Sequence, residues 1–155
     1  MQERELKPGT YWHDDLNTGD YFVTDGLIVT ESHIVNFAGL SGDFFSLHMD
    51  DEFAREQGFP GRVAHGLLVL SLVDGLKNRA PVKLMAVASL GWNWSFSNPV
   101  VAGDRIQAKV SVEEKRLTSK RDRGVIKLLF TVYNQHKETV QEGTNQLLSR
   151  VRADT

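Results

Sequence analysis

The fold of this chain is decided by residues 64–78, which read AHGLLVLSLVDGLKN. Aliphatic side chains in this stretch point to almost every side of a helix. A helix that is apolar nearly all round is buried, so other elements must cover it. The aliphatic residues are Leu67, Leu68, Val69, Leu70, Leu72, Val73 and Leu76.

The elements that cover this helix are predicted to be strands. After the helix, runs rich in β-branched and aromatic residues occupy 83–96, 105–118, 125–135 and 139–151, with turn residues between them. A similar run precedes the helix at 21–29. The pattern predicts a single α+β domain in which an antiparallel β-sheet is wrapped around a long central helix.

The length of 155 residues suits one domain. Residues 1–18 show no regular pattern, and we expect them to form an irregular N-terminal arm before a domain over residues 19–155. His13 in this arm is expected to lie at the surface, as are His33 and His136.

Composition argues against several classes of function. The net charge of −2 provides no broad basic surface for nucleic acid. No apolar run is long enough to span a bilayer, and the charged N-terminus does not resemble a signal peptide. The chain has no cysteine, which excludes disulfides, thiolate metal sites and cysteine nucleophiles. We therefore expect a cytoplasmic protein that binds neither nucleic acid nor membranes.

A second stretch, residues 37–50, reads FAGLSGDFFSLHMD and carries the residues that indicate chemistry. A helix is predicted over 31–40 and a loop over 43–49, so Asp43 and His48 share one loop. A carboxylate and an imidazole in one turn can act together on a single water or substrate proton. Each residue alone is more simply a turn aspartate or a half-buried histidine, but the pair in this context favours catalysis.

The start of the central helix supplies a second component of a site. Gly66 follows His65 there, and a main-chain N–H at a helix N-terminus favours anions, including a charged carbonyl oxygen. His65 itself is expected to pack the turn or to bond a carbonyl. A metal site is the alternative for the acidic and imidazole groups, but their spacing matches no two-histidine helical motif, so no metal is expected. The groups concerned are Asp43, His48, Asp50 and His65.

These two stretches resemble the signature regions of the MaoC-like family of hotdog hydratases and dehydratases, which includes (R)-specific enoyl-CoA hydratases. The resemblance covers roughly residues 19–150. It implies a hotdog fold, a catalytic dyad of Asp43 and His48, and a Gly66 N–H that binds a thioester oxygen. The implied activity is that of a lyase in fatty acid metabolism, which interconverts a 2-enoyl-CoA and a 3-hydroxyacyl-CoA. An acyl-CoA substrate, no other cofactor, and a homodimer or dimer-based oligomer are also implied.

The chain departs from the family pattern at two places. Phe45-Ser46 replaces the usual Asn-Pro, which removes a polar group and a rigid φ from the loop. Asp74 stands where known hydratases can carry a small hydroxyl residue, and it should either pair with a basic residue or lie beside the dyad. The residues expected to contact substrate are Phe45, Ser46, Leu47, His65 and Asp74.

Two other functions remain open from the sequence alone. A thioesterase on the same fold would use a carboxylate without the paired His48. A non-catalytic module that binds acyl thioesters would account for the departures at Phe45-Ser46 and Asp74.

Overall fold

The computed structural model describes residues 2–152. The strands are β1 (Arg4–Glu5), β2 (Gly9–Tyr11), β3 (Asp20–Val23), β4 (Leu27–Ile28), β5 (Val82–Leu84), β6 (Ala86–Phe96), β7 (Arg105–Leu117), β8 (Arg123–Tyr133) and β9 (Thr139–Arg150). The α-helices are α1 (Glu31–Ser41), α2 (Ser46–Met49), α3 (Asp51–Glu56) and α4 (Gly66–Arg79), and a 3₁₀ helix spans His13–Asp15. Among the described residues, no helix is both long and apolar enough to cross a bilayer.

One large sheet forms the body of the molecule. Its strands follow the order β1-β3-β7-β8-β9-β6, and β4 also pairs with β7. Neighbouring strands from β3 to β6 are antiparallel, whereas β1 and β3 are parallel. β2 and β5 form a separate two-stranded parallel sheet. The predicted α+β arrangement, an antiparallel sheet wrapped around a long central helix, is confirmed.

The core lies between α4 and the inner face of the sheet. Val69 and Val73 on α4 are fully buried, and alternate residues of β8 face them from the sheet side of the core. Each buried aliphatic or aromatic side chain contributes about 1.5–3 kcal/mol on leaving water. The packing holds the first turn of α4 next to the ends of β6 and β9. The buried β8 residues are Ile126, Leu128, Phe130 and Val132.

The predicted strand at 83–96 is divided between two sheets. Its first part is β5, which pairs with β2, and the rest is β6, which pairs with β9. Met85 is the point of exchange, because its N–H donates to Tyr11 in the small sheet and its carbonyl accepts from Arg150 in the large one. The sequence pattern of 83–96 is continuous, so it does not show that the two parts of the segment pair with different strands.

The predicted strand at 21–29 is also interrupted. Oγ1 of Thr24 accepts the N–H of Ala108 at 3.1 Å, and this bond replaces one that a strand carbonyl would make. The predicted loop at 43–49 contains the single turn α2, which is closed by a hydrogen bond from Asp50 N to the oxygen of its first residue.

The N-terminal arm is ordered into the fold, so its expected irregularity is wrong. β1 extends the large sheet, β2 pairs with β5, and Leu6 and Leu16 join the core. His13 is 5% exposed, so its expected surface position is wrong as well. Its ring lies against Gly124 on β8, where a Cβ would overlap it. Contacts between segments so distant in sequence leave no local pattern. The domain boundary after residue 18 stays a prediction.

Candidate active site

Asp43 is positioned by the end of α1. The helix is capped by Thr30, whose Oγ1 accepts the N–H of His33 at 3.2 Å. It ends at Gly42, whose φ of 80° is a left-handed conformation that glycine adopts without strain. The chain turns sharply there, and Oδ1 of Asp43 accepts the N–H of Phe45 at 3.2 Å. This local turn holds the carboxylate in one orientation.

His48 is positioned by α2 and by the segment that leads into α4. Its Nδ1 lies 2.6 Å from the carbonyl oxygen of Val63. Because a carbonyl can only accept, Nδ1 carries the proton, and Nε2 of the neutral ring is a free base. Nε2 lies 3.8 Å from Oδ2 of Asp43. The His48 side chain is 12% exposed, whereas that of Asp43 is 52% exposed.

The separation of the two groups leaves room for one bridging water molecule. The 3.8 Å between Oδ2 and Nε2 is too long for a direct hydrogen bond. A water about 2.8 Å from each atom would bond to both, since this is an ordinary hydrogen-bond length. An unprotonated imidazole nitrogen and a carboxylate both accept protons, so a water held between them becomes a better nucleophile. The pair is therefore suited to acid–base chemistry.

His65 supports both members of the pair. Its ring stacks on that of His48, with centroids 3.8 Å apart and planes at 24°. Its Nε2 donates to the main-chain oxygen of Asp43 at 2.9 Å, which confirms the expected bond to a carbonyl. Phe37 packs edge-on against the same ring, and His65 is buried. His65 therefore contacts both the main chain of Asp43 and the ring of His48.

Asp43, His48 and His65 form a cluster of potential metal ligands, whose ligand atoms lie within 4.8 Å of one another. The spacing of these residues in the sequence does not predict such a cluster. The lone pair of an imidazole lies in the plane of its ring, so two stacked rings direct their lone pairs side by side rather than toward one point. His48 Nδ1 and His65 Nε2 are also engaged with carbonyl oxygens. This geometry does not suit a metal ion.

The first turn of α4 opens onto a cavity of about 420 Å³. Its wall includes His48, Gly66, Val69, Phe96 and Gln141. Within residues 2–152, the N–H of Gly66 has no protein acceptor. Such a free N–H at a helix N-terminus carries partial positive charge and stabilises an oxyanion. The cavity wall thus combines a histidine, the first residue of a helix and apolar side chains.

Of the residues expected to contact substrate in the first loop, Leu47 lines the cavity. Phe45 is half exposed and packs its ring against His48, with centroids 6.0 Å apart. Ser46 begins α2. Phe45, Ser46 and the buried His65 are not part of the cavity wall, so their contact with substrate stays a prediction.

Asp74 lies two turns along α4 from Gly66 and outside the cavity wall. Its carboxylate pairs with Nζ of Lys77 at 2.9 Å, which confirms the expected basic partner. Lys77 is buried, and its Nζ lies 5.8 Å from the ring centroid of Trp92. The ion pair gives Asp74 a structural role, and its contact with substrate stays a prediction.

Phe96 and Gln141 belong to the site but were not predicted from the sequence. They lie opposite each other on β6 and β9, and both contact Gly66. The sequence offered one signal for Gln141, a polar residue within a strand that must bury one face. A buried amide needs hydrogen-bond partners, so such a residue indicates a specific contact. The register that brings both residues to Gly66 is a tertiary feature.

The chain is similar to a known protein family along most of its length. The family model for the MaoC like domain matches residues 17–134. The chain is 36% identical over 122 residues to Protein MaoC of Klebsiella aerogenes, and the match covers 78% of this chain but only 36% of that protein. It is 34% identical over 106 residues to an (R)-specific enoyl-CoA hydratase of Aeromonas caviae, covering 67% of this chain and 74% of that enzyme.

The fold is shared with a solved protein of Mycobacterium tuberculosis that is described as having a double hotdog fold. The TM-score is 0.84 at 20% identity, over 97% of this chain and 47% of that chain. The sheet wrapped around α4 is therefore a hotdog fold.

Proposed function

This chain belongs to the MaoC-like domain family, and we propose that it is a hydro-lyase that reversibly hydrates a 2-enoyl-CoA to a 3-hydroxyacyl-CoA. The observation that supports the proposal is the shared cavity, whose wall includes both His48, with Nδ1 bonded to a carbonyl, and Gly66, whose N–H has no acceptor among the described residues. Asp43 stands 3.8 Å from that nitrogen. The name of the Aeromonas relative supports the choice of an enoyl-CoA as substrate.

The first step adds water to C3 of the thioester. Water gives one proton to the Asp43–His48 pair while its oxygen forms a bond to C3. The π electrons of the C2–C3 double bond shift toward C1, and the thioester oxygen becomes negatively charged. The pair then returns a proton to C2, and the thioester carbonyl is restored. Because the pair ends in its starting protonation state, the same groups can remove water in the reverse direction.

The negative charge on the thioester oxygen needs a donor that is already in place. We assign this role to the N–H of Gly66, where the dipole of α4 adds to the attraction. Removing a donor of this kind from an enzyme lowers its rate about 100- to 1,000-fold. The donor acts most strongly in the transition state, because the charge develops there.

The proposed reaction transfers a proton and a hydroxyl group without a change in overall oxidation state. We therefore propose that it uses no redox cofactor and no metal ion, and that the CoA thioester enters only as substrate. Full activity after dialysis against a strong chelator is the expected result, and a loss that added metal restores would contradict it.

We also propose that the active form is a homodimer. Within the described part of the chain, β6 is the edge of the large sheet, since it pairs with β9 on one side only. Val87, Leu90 and Phe96 on this strand are exposed in the single chain. A long apolar edge strand exposes unpaired main-chain groups and favours pairing with another strand. A second copy paired there would lie next to the cavity, because Phe96 belongs to the cavity wall.

Turnover of crotonyl-CoA tests the proposed reaction. The expected result is loss of the enoyl absorbance together with formation of 3-hydroxybutyryl-CoA. Release of free CoA thiol without hydration would identify a thioesterase instead. Binding of the thioester with neither reaction would identify a non-catalytic module. Either of these two results would overturn the hydratase proposal.

A further inference from the structure

A buried glutamine connects the sheet to the start of α4. Gln141 on β9 is 2% exposed and forms part of the cavity wall. Its Oε1 accepts the indole N–H of Trp94 at 2.8 Å, and its Nε2 donates to the carbonyl oxygen of Gly66 at 3.0 Å. Both ends of this amide are therefore bonded within the protein.

The orientation of the amide is not ambiguous. An indole nitrogen can only donate, so the atom facing Trp94 must be the oxygen of Gln141. The atom facing the carbonyl of Gly66 must then be the nitrogen, because a carbonyl can only accept. The chain from Trp94 through Gln141 to Gly66 thus has one direction of donation.

Phe96 also contacts Gly66. Its ring lies so close to Gly66 that a Cβ at this position would overlap it. Phe96 and Gln141 are direct partners in the β6–β9 ladder. One cross-strand pair therefore contacts Gly66 in two ways, through an aromatic ring and through an amide.

The first turn of α4 lacks the usual side-chain cap. The N-cap residue is His65, whose side chain makes no capping hydrogen bond because it is engaged with Asp43. The first N–H groups of a helix have no intrahelical acceptor, and a side-chain cap usually helps to hold this turn. Here the sheet supplies the anchor instead, through the carbonyl of Gly66.

We propose that Gln141 is a positioning residue for the oxyanion donor, and this inference rests on the proposed hydratase function. Gln141 holds the carbonyl side of Gly66 so that the N–H of the same residue meets the developing charge on the thioester. It acts through Gly66 and needs no contact with substrate. A displacement of about 1 Å in a catalytic group can cost 100-fold in rate, so a single anchoring bond matters here.

The test is Gln141→Met, which keeps the length of the side chain and removes both hydrogen bonds. We expect kcat for crotonyl-CoA to fall about ten- to a hundredfold. KM, and the Kd of the saturated analogue butyryl-CoA, should change little, because the oxyanion forms only during reaction. The matched control is Gln146→Met on the same strand, where the side chain is exposed and kcat should equal that of the wild type.

A second variant tests the proposal in case Gln141→Met does not fold. Trp94→Phe removes the indole N–H and leaves Gln141 in place, and it should lower kcat in the same direction by a smaller factor. The proposal is overturned if folded Gln141→Met or Trp94→Phe protein keeps the wild-type kcat, or if butyryl-CoA binding weakens as much as kcat falls. If the wild type hydrates crotonyl-CoA and both variants keep its kcat, only this inference is wrong. A wild type that does not hydrate crotonyl-CoA removes both this inference and the proposed function.

Discussion

The tautomer of His48 depends on the main-chain oxygen of Val63, and that oxygen is held by a neighbour in sequence. Arg62 pairs with Glu31 on α1 at 3.0 Å, and its N–H donates to Oδ1 of Asp51 on α3 at 2.8 Å. The carbonyl that fixes the proton of His48 is thus anchored to two helices that contain no part of the dyad. The bond from Nδ1 to Val63 leaves Nε2 as the nitrogen turned toward the carboxylate, and the ring keeps this orientation as long as the segment keeps its place.

At the residue scale, Asp43→Asn should remove nearly all hydratase activity and leave the fold intact. The change keeps the size of the side chain, and the bonds of the Asp43 main chain remain available. The rate should fall about 100-fold or more, the usual contribution of a general acid or base. Crotonyl-CoA turnover measures the loss of activity, and a thermal melt shows whether the fold is intact. Asp25→Asn, at an exposed position, is the control. A folded Asp43→Asn protein with more than about a tenth of the wild-type rate would show that Asp43 is not the base.

A double variant tests whether Asp43 and His48 act as one unit. His48→Ala should be about as inactive as Asp43→Asn, and the double variant should be little worse than either, because both residues serve one water. The measurement is kcat/KM for the three variants. Losses that multiply in the double variant would contradict a shared water.

At the scale of elements, the sequence predicted those whose pattern is local. α4 and the long strands each carry an apolar period of their own, and the structure places them within a few residues of the prediction. The closeness of Asp43 and His48 was predicted for the same reason, since they lie five residues apart, and their role as a catalytic dyad stays a prediction. Phe96, Gln141 and the exchange at Met85 depend on strand register and on choice of partner. These are properties of two segments together, so neither segment shows them alone.

The packing of the N-terminal 3₁₀ helix onto β8 predicts a loss of stability in mild acid. Burial lowers the pKa of His13, and the charge of Lys115 lowers it further, against a smaller opposing effect of Asp14. The unfolded chain therefore binds a proton at a higher pH than the folded chain does. The stabilisation that comes from unprotonated His13 should be fully present above the ordinary histidine pKa of about 6.5. It should decrease as the pH falls below that value.

Urea unfolding at pH 7.5 and at pH 5.5 measures this effect, and both values lie above the usual range of carboxylate titration. His13→Phe keeps a ring beside Gly124 but cannot titrate, so the difference in unfolding free energy between the two pH values should become smaller. His136→Phe, at an exposed turn position, should keep the wild-type difference. An unchanged difference in His13→Phe would show that His13 does not cause the acid sensitivity.

At the scale of the whole molecule, the two edges of the sheet differ in kind. One edge ends at β1, which has two charged residues, Arg4 and Glu5. The other edge is β6, which extends from Ala86 to Phe96 and exposes most of its side chains. A short charged edge discourages further pairing, and a long apolar one favours it. In the proposed homodimer, we therefore expect the second copy to add at β6.

Leu90 offers a direct test of that dimer, because it lies on β6 and is 52% exposed in the single chain. The wild type should show twice the mass of one chain by light scattering at micromolar concentration. Leu90→Glu should shift the protein toward monomer, since pairing would bring two like charges close to each other at the seam. Hydratase activity should fall with dimer content, because the cavity lies beside β6. Ile28→Glu on β4, a similarly exposed position on a strand that pairs with β7, should remain dimeric and active. A monomeric wild type with full activity would show that the hotdog domain works alone.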